Sequence, residues 1–168
     1  VILPPTVDRS ILAAIPDGDD GIAATLDLMV SMIREYKADR EIVLLARSLT
    51  GHLSQKDFVG EAATIQEFVR DDIRYVRDVH GVETLQTPDM TLAIGSGDCD
   101  DKAVLAASLL AAIGHPTRIV AGAFNDGPFE HVWVETLVGR KWLGVETTEP
   151  VPFGWTPPRQ TRRMVRHV

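Results

Sequence analysis

The sequence predicts an α+β fold, with helices first and an antiparallel sheet last. Three observations carry this. Apolar residues recur at helical spacing from about residue 22 to residue 69. A stretch that is apolar on nearly every side, 103–113, follows a glycine-loosened loop near the middle of the chain. Beyond Gly114-His115-Pro116 the pattern changes to short runs rich in valine, threonine and aromatic residues, broken by turn residues. A chain of 168 residues that is 45% hydrophobic and 24% charged is long enough to bury one sizeable core, so a single domain is expected over 1–168.

Taken in order, residues 1–16, with Pro4-Pro5 and Pro16, read as an irregular lead-in. Gly18-Asp19-Asp20-Gly21 then precedes Ile22, Leu26, Met29, Val30 and Ile33, whose spacing near 3.6 predicts an amphipathic helix. A second helix is expected over 39–50, with Ile42, Leu45, Ala46 and Leu49 on one face. Ser54 and Asp57 resemble a capping box and start a third helix carrying Phe58, Ala62, Ile65, Phe68 and Val69. Its end stays open, because Ile73-Arg74-Tyr75-Val76 alternates and can begin an extended segment. Residues 77–95, with His80-Gly81, Pro88 and Gly95, read as a long loop with about one helical turn. Asp98 caps the apolar helix, which Gly114 and Pro116 stop. Strands are expected at 117–124, 129–137 and 141–147, the last two joined by a hairpin at Val138-Gly139-Arg140. A Pro-rich segment with Trp155 follows, then a basic end with Arg159, Arg162, Arg163, Arg166 and His167. The domain thus divides into a helical extension (1–56), a core (57–150) and a Pro-rich, basic tail (151–168). The extension and the tail are the expected surfaces for a protein partner.

Composition narrows the function. A net charge of −7 argues against broad nucleic-acid binding, which needs a cationic face. No run approaches the roughly 20 apolar residues of a membrane span, and no basic-then-apolar leader opens the sequence. Neither nucleic acid nor membrane is therefore expected as a partner, and cytoplasmic and virion-associated locations both fit. A single cysteine excludes an intrachain disulfide and a Cys-rich metal site. His52, His80 and His115 show no ligand spacing and read as surface or turn residues, and Asp19-Asp20 lacks the further oxygens of a calcium loop. No metal or cofactor is expected.

The one cysteine, Cys99, stands where the loop meets the apolar helix. Unpaired N–H groups and the positive end of the helix dipole favour thiolate there. A thiol nucleophile needs a base within hydrogen-bond reach and a third group to orient that base. His131 lies in the strand His131-Val132-Trp133-Val134-Glu135, and Glu146 in the next. A two-residue turn at Gly139-Arg140 pairs Val138 with Lys141. The same register puts His131 opposite Thr148 and Glu146 two residues away on the same face, a diagonal neighbour about 7–8 Å off at the backbone. Asn125 and Asp126, at a turn, are the alternative orienters. Asp98, Asp100 and Asp101 work against activation, since nearby carboxylates raise a thiol's pKa. At about 100° per residue, Asp100 and Asp101 are expected to point away from Cys99. Trp133 and Trp142 are expected to pack beneath the site.

Gly97-Asp98-Cys99-Asp100-Asp101-Lys102-Ala103, then His131-Val132-Trp133-Val134-Glu135, then Trp142 with Val145-Glu146-Thr147-Thr148, resemble the core of the transglutaminase-like superfamily of papain-like cysteine enzymes. The likeness covers roughly 60–150, including Thr84-Leu85-Gln86-Thr87-Pro88, and extends to phage- and bacterium-encoded members. Glu146 departs from the family's usual aspartate. The resemblance implies a papain-like core in which the Cys99 helix and the N-terminal helices pack on the C-terminal antiparallel sheet. It further implies a Cys99–His131–Glu146 triad, an oxyanion met by the Cys99 N–H and Gln86, and a substrate site lined by Asp98 and Trp133. The substrate would be a peptide or protein amide. The acyl-enzyme would pass to water in a peptidase or amidase, or to an amine in a cross-linking acyltransferase. A non-catalytic adaptor that keeps the fold is a third reading.

Overall fold

The computed structural model describes residues 18–77 and 84–168. The lead-in prolines Pro4, Pro5 and Pro16 and the His80-Gly81 turn fall outside the described residues. The central element is helix α5 (Cys99–Ala112), in which every residue from Asp101 to Leu110 is buried. A helix that is apolar all round has no face to give to water, so it must be enclosed. Four helices enclose it on one side: α1 (Gly18–Tyr36), α2 (Arg40–Thr50), α3 (Phe58–Asp72) and the short α4 (Pro88–Ile94). The sheet closes the other side. Leu26, Met29 and Ile33 of α1, Ile42 and Ala46 of α2, and Ala62, Ile65 and Val69 of α3 join Ala103–Ala107, Leu109 and Leu110 in one core with Ile119, Ala121, Val134 and Val145. The helices read as an N-terminal extension thus share the core of the sheet.

That sheet has the order β5-β4-β3-β6, all antiparallel, from β3 (Thr117–Phe124), β4 (Phe129–Val138), β5 (Lys141–Val145) and β6 (Gln160–His167). The turn at Gly139-Arg140, with Gly139 at φ +62, pairs Val138 with Lys141 and Val134 with Val145, the expected register. Strand β6 corrects the reading of residues 160–167 as part of a tail: they form an edge strand along β3. Their arginines are held by acids. Arg162 pairs with Asp19 and Arg166 with Asp27, both at 2.7 Å, and Arg163 reaches Glu135 at 2.8 Å. Glu135, buried on the sheet face away from α5, also takes Arg118 (2.5 Å) and the indole N–H of Trp133 (3.3 Å). Two further short strands, β1 (Arg74–Tyr75) and β2 (Ser96–Gly97), pair in parallel and lead the chain into α5.

His115 is a second correction. It is buried, not at the surface, and its Nε2 lies 2.7 Å from Glu61 of α3. Gly114, at φ +91, turns the chain back so that the ring packs edge-on against Phe58. Among the described residues no helix is long and apolar enough to cross a membrane.

Candidate active site

The first turn of α5 is fixed before any chemistry is considered. Asp98 is the N-cap; its Oδ1 accepts from the N–H groups of Asp100 (3.0 Å) and Asp101 (3.1 Å). Asp101, fully buried, completes the capping box by accepting from Asp98 N–H (3.2 Å) and takes Gln86 N–H with its other oxygen (2.7 Å). This network needs a glycine just ahead of it, since a Cβ on Gly97 would sit 2.6 Å from the Cβ of Asp101. Cys99 is left at the first helical position, partly buried.

Its sulfur donates to Asp100 Oδ1 at 3.3 Å. The expectation that Asp100 points away is therefore wrong for its side chain: the residues are adjacent on the helix, and the short carboxylate folds back to the thiol. Asp101 does point away. Burial pushes the Cys99 thiol far up, and the negative charges of Asp100 and Asp98 push it further; the backbone N–H of Val132 in β4 pulls weakly the other way.

His131 and Glu146 meet as the strand register requires. Nε2 of His131 lies 2.7 Å from Oε2 of the fully buried Glu146, which follows the end of β5. The other carboxylate oxygen accepts from Thr148 twice, from N–H at 2.8 Å and Oγ1 at 2.7 Å. Burial alone would raise the Glu146 carboxyl, but the His131 and Thr148 contacts outweigh it and hold the group below its ordinary range. The imidazole stacks on Trp133, ring centroids 5.9 Å apart and planes 22° apart. With Nε2 taken by Glu146, Nδ1 is the ring nitrogen left without that contact.

A cavity of about 240 Å³ is lined by Cys99, His131, Asp98 and Asp100, with Tyr75 and with Ile22 and Leu26 of α1 among its walls. A second, of about 560 Å³, shares Tyr75, Arg77, Glu130 and His131 with the first and is closed by residues of the 148–157 segment. The structure thus brings Cys99, His131 and Asp98 to one cavity, with Glu146 directly behind the imidazole. Two predicted residues are placed elsewhere. Trp133 is 1% exposed and lies under the His131 ring, not at a cavity wall. Gln86 docks its backbone on Asp101, its side-chain Oε1 is buried without a hydrogen bond, and it does not line either cavity. Asn125 and Asp126 stay in the β3–β4 turn, both at positive φ. Among the described residues, the acidic and thiol groups close enough to hold a cation are Asp98, Cys99 and Asp100, whose ligand atoms lie within 4.8 Å of one another.

One residue beside the site was missed by sequence reasoning. Lys102, one turn after Cys99, is 1% exposed, and its Nζ donates to the carbonyls of Ile73 (2.6 Å) and Arg70 (3.3 Å) at the end of α3. Burial lowers its pKa to about 8, against the pull of Asp71 and Glu146. A lone lysine inside an otherwise apolar helix was the available signal, since such a group is enclosed only when its ammonium has acceptors.

The sequence profile of the transglutaminase-like superfamily matches residues 45–147. No curated protein matches the sequence. Solved structures share the fold, three of them as follows. A candidate protease from Parabacteroides distasonis is 16% identical with a TM-score of 0.62, over 77% of this chain and 26% of that one. A candidate cysteine protease from Cytophaga hutchinsonii is 16% identical with a TM-score of 0.57, over 83% and 55%. Calcium-bound LapG from Legionella pneumophila is 19% identical with a TM-score of 0.55, over 77% and 76%. The chain spans about a quarter of the first of these proteins and about half of the second.

Proposed function

The chain belongs to the transglutaminase-like superfamily, and from that premise we propose that it is a cysteine-dependent acyl hydrolase, a peptidase or amidase, working through Cys99, His131 and Glu146. The observation that carries this reading is the 2.7 Å His131–Glu146 contact on the wall of the cavity that also holds the Cys99 thiol.

The chemistry follows from the groups present. Nδ1 of His131 accepts the Cys99 proton, and the sulfur forms a bond to the acyl carbon of an amide. Glu146, ionised and anchored by Thr148, steadies the imidazolium that results and fixes which ring nitrogen faces the thiol. The oxyanion draws on the N–H of Cys99 at the start of α5. The imidazolium then returns its proton to the departing nitrogen as the C–N bond breaks, leaving a thioester and a free amine. Water, deprotonated by His131, attacks the thioester, the C–S bond breaks, and the sulfur takes back its proton. An amine in place of water gives acyl transfer from the same intermediate.

Peptide electrophiles of varied side chains, with intact-mass detection, test the reading. Adduct formation is expected on Cys99 in the unaltered protein, at a rate that falls about 100-fold or more in His131→Ala. Equal rates in both proteins would refute the catalytic reading and leave the adaptor reading standing. A labelled amine supplied with an acyl donor that is turned over distinguishes transfer from hydrolysis.

A further inference from the structure

We propose that the second cavity is the subsite for the leaving-group side of the scissile bond and that it selects a basic residue, lysine or arginine, in that position. This rests on the Cys99–His131 reading above, whose geometry sets the direction. The acyl carbon is held by the sulfur, and the departing nitrogen takes its proton from the imidazole. The departing portion therefore lies on the imidazole's side. The second cavity is lined by His131 and not by Cys99.

Its walls fit a side chain with an apolar stem and a cationic end. Tyr75, Phe124 and Trp155 supply aromatic surface, against which a methylene stem packs and a cation is attracted. Glu130 and Glu149 supply two carboxylates against the one guanidinium of Arg77. Both glutamates are exposed, and neither has an ion-pair partner among the described residues, so their charge is available to a cation in the cavity. The wall is also built in advance of any substrate. The Val151 carbonyl is held by Gln66 Nε2 (2.9 Å) and Arg70 Nη1 (3.2 Å), and Gly154 bridges to Gly144. Gly144 is required there, because a Cβ would overlap the Trp155 carbonyl oxygen.

Two measurements test the proposal. Internally quenched peptides that differ only in the residue after the scissile bond are compared by kcat/KM. Lysine is expected to be favoured over glutamate by about tenfold, from one exposed ion pair and one aromatic contact. The ratio is expected to fall to about one, or to invert, in Glu149→Lys, with Glu130→Lys as the second reversal. Independently of turnover, the Cys99→Ala protein is titrated with lysyl-glycinamide and glutamyl-glycinamide, following the indole N–H resonances by NMR. Tighter binding of the lysyl compound that is lost in the Cys99→Ala, Glu149→Lys protein supports the subsite, even if no peptide is cleaved. In that event only the catalytic reading fails. Equal binding of the two compounds, or a preference that neither reversal alters, overturns the proposal.

Discussion

Replacing Asp100 by asparagine removes the charge nearest the Cys99 sulfur while keeping the side chain's shape. The sulfur and Oδ1 are 3.3 Å apart. At that separation a thiolate and a carboxylate repel by about 1 kcal/mol in bulk water and about 5 kcal/mol at an effective dielectric constant of 20. At about 1.4 kcal/mol per pK unit, the substitution lowers the thiol's pKa by about 1 to 4 units. Burial and Asp98 continue to push it up. A less basic thiolate is also a weaker nucleophile, with a Brønsted coefficient of about 0.5. Well below both pKa values the net gain is therefore about half a decade in rate per unit, so iodoacetamide should alkylate Asp100→Asn about 3-fold to 100-fold faster at pH 7. The rate is followed by intact mass between pH 5 and pH 10, where the Asp100→Asn protein should react faster throughout. Losing a first-turn carboxylate costs the helix about 0.3–1 kcal/mol, so urea melts of both proteins are needed to exclude reaction through unfolding. An unchanged or slower rate in a protein that is still folded would refute Asp100 as a contributor to the raised thiol.

Two further outcomes follow from the buried charges. Glu146→Gln should cut labelling by peptide electrophiles about 100-fold or more, because the imidazolium loses its counter-charge. Because the folded Glu146 carboxyl lies below its unfolded value, the stability it contributes is present above about pH 4.3 and is lost as pH falls through the folded value; acid titration of thermal melts should show a shallower loss in the Gln variant. Lys102 titrates near 8 in the fold and about 10.4 unfolded, so between those values the unfolded chain holds the extra proton and stability rises with pH. The raised Cys99 thiol has the opposite effect above about pH 8.5, so the measurement is the difference between the Cys99→Ala protein and its Lys102→Met derivative, which should widen from pH 8 to pH 10.5 in favour of the protein that keeps the lysine.

What the sequence disclosed were local and parity signals. The helix periods, the Asp98 cap and the tight turn at Gly139-Arg140 each depend on a few neighbouring residues, and a two-residue turn fixes a whole strand register. The Ser54–Asp57 pair marks the start of α3, but Asp57 itself is the cap. His131 and Glu146 therefore came together on one face from counting alone. What stayed hidden depends on residues far apart in the chain. β6 was read as a charged tail because Arg162, Arg163 and Arg166 mask its alternation, and the acids that offset them, Asp19, Asp27 and Glu135, lie up to 143 positions away. Asp100 was misplaced because a helical wheel gives the direction of Cβ but not the rotamer beyond it. The second cavity joins the 74–77, 124–131 and 148–157 segments, which no sequence pattern links.

The two carboxylates around the Cys99–His131 pair act in opposite senses, and that opposition locates the step left to be made in the resting protein. Glu146, inaccessible and held by two bonds from Thr148, orients the imidazole. Asp100 holds the proton on sulfur and disfavours the negative thiolate. On the proposed mechanism the Cys99 proton passes to His131, and Asp100 opposes that transfer. The His131–Glu146 distance and the two Thr148 bonds fix the orientation of the imidazole. The Asp100 carboxylate, on the cavity wall and at the end of a rotatable side chain, is the part that must give way. On the proposed mechanism, turning it from the sulfur removes a hydrogen bond that retains the proton and the nearest repelling charge, while burial, the largest cause, and Asp98 still hold the thiol up until substrate occupies the cavity.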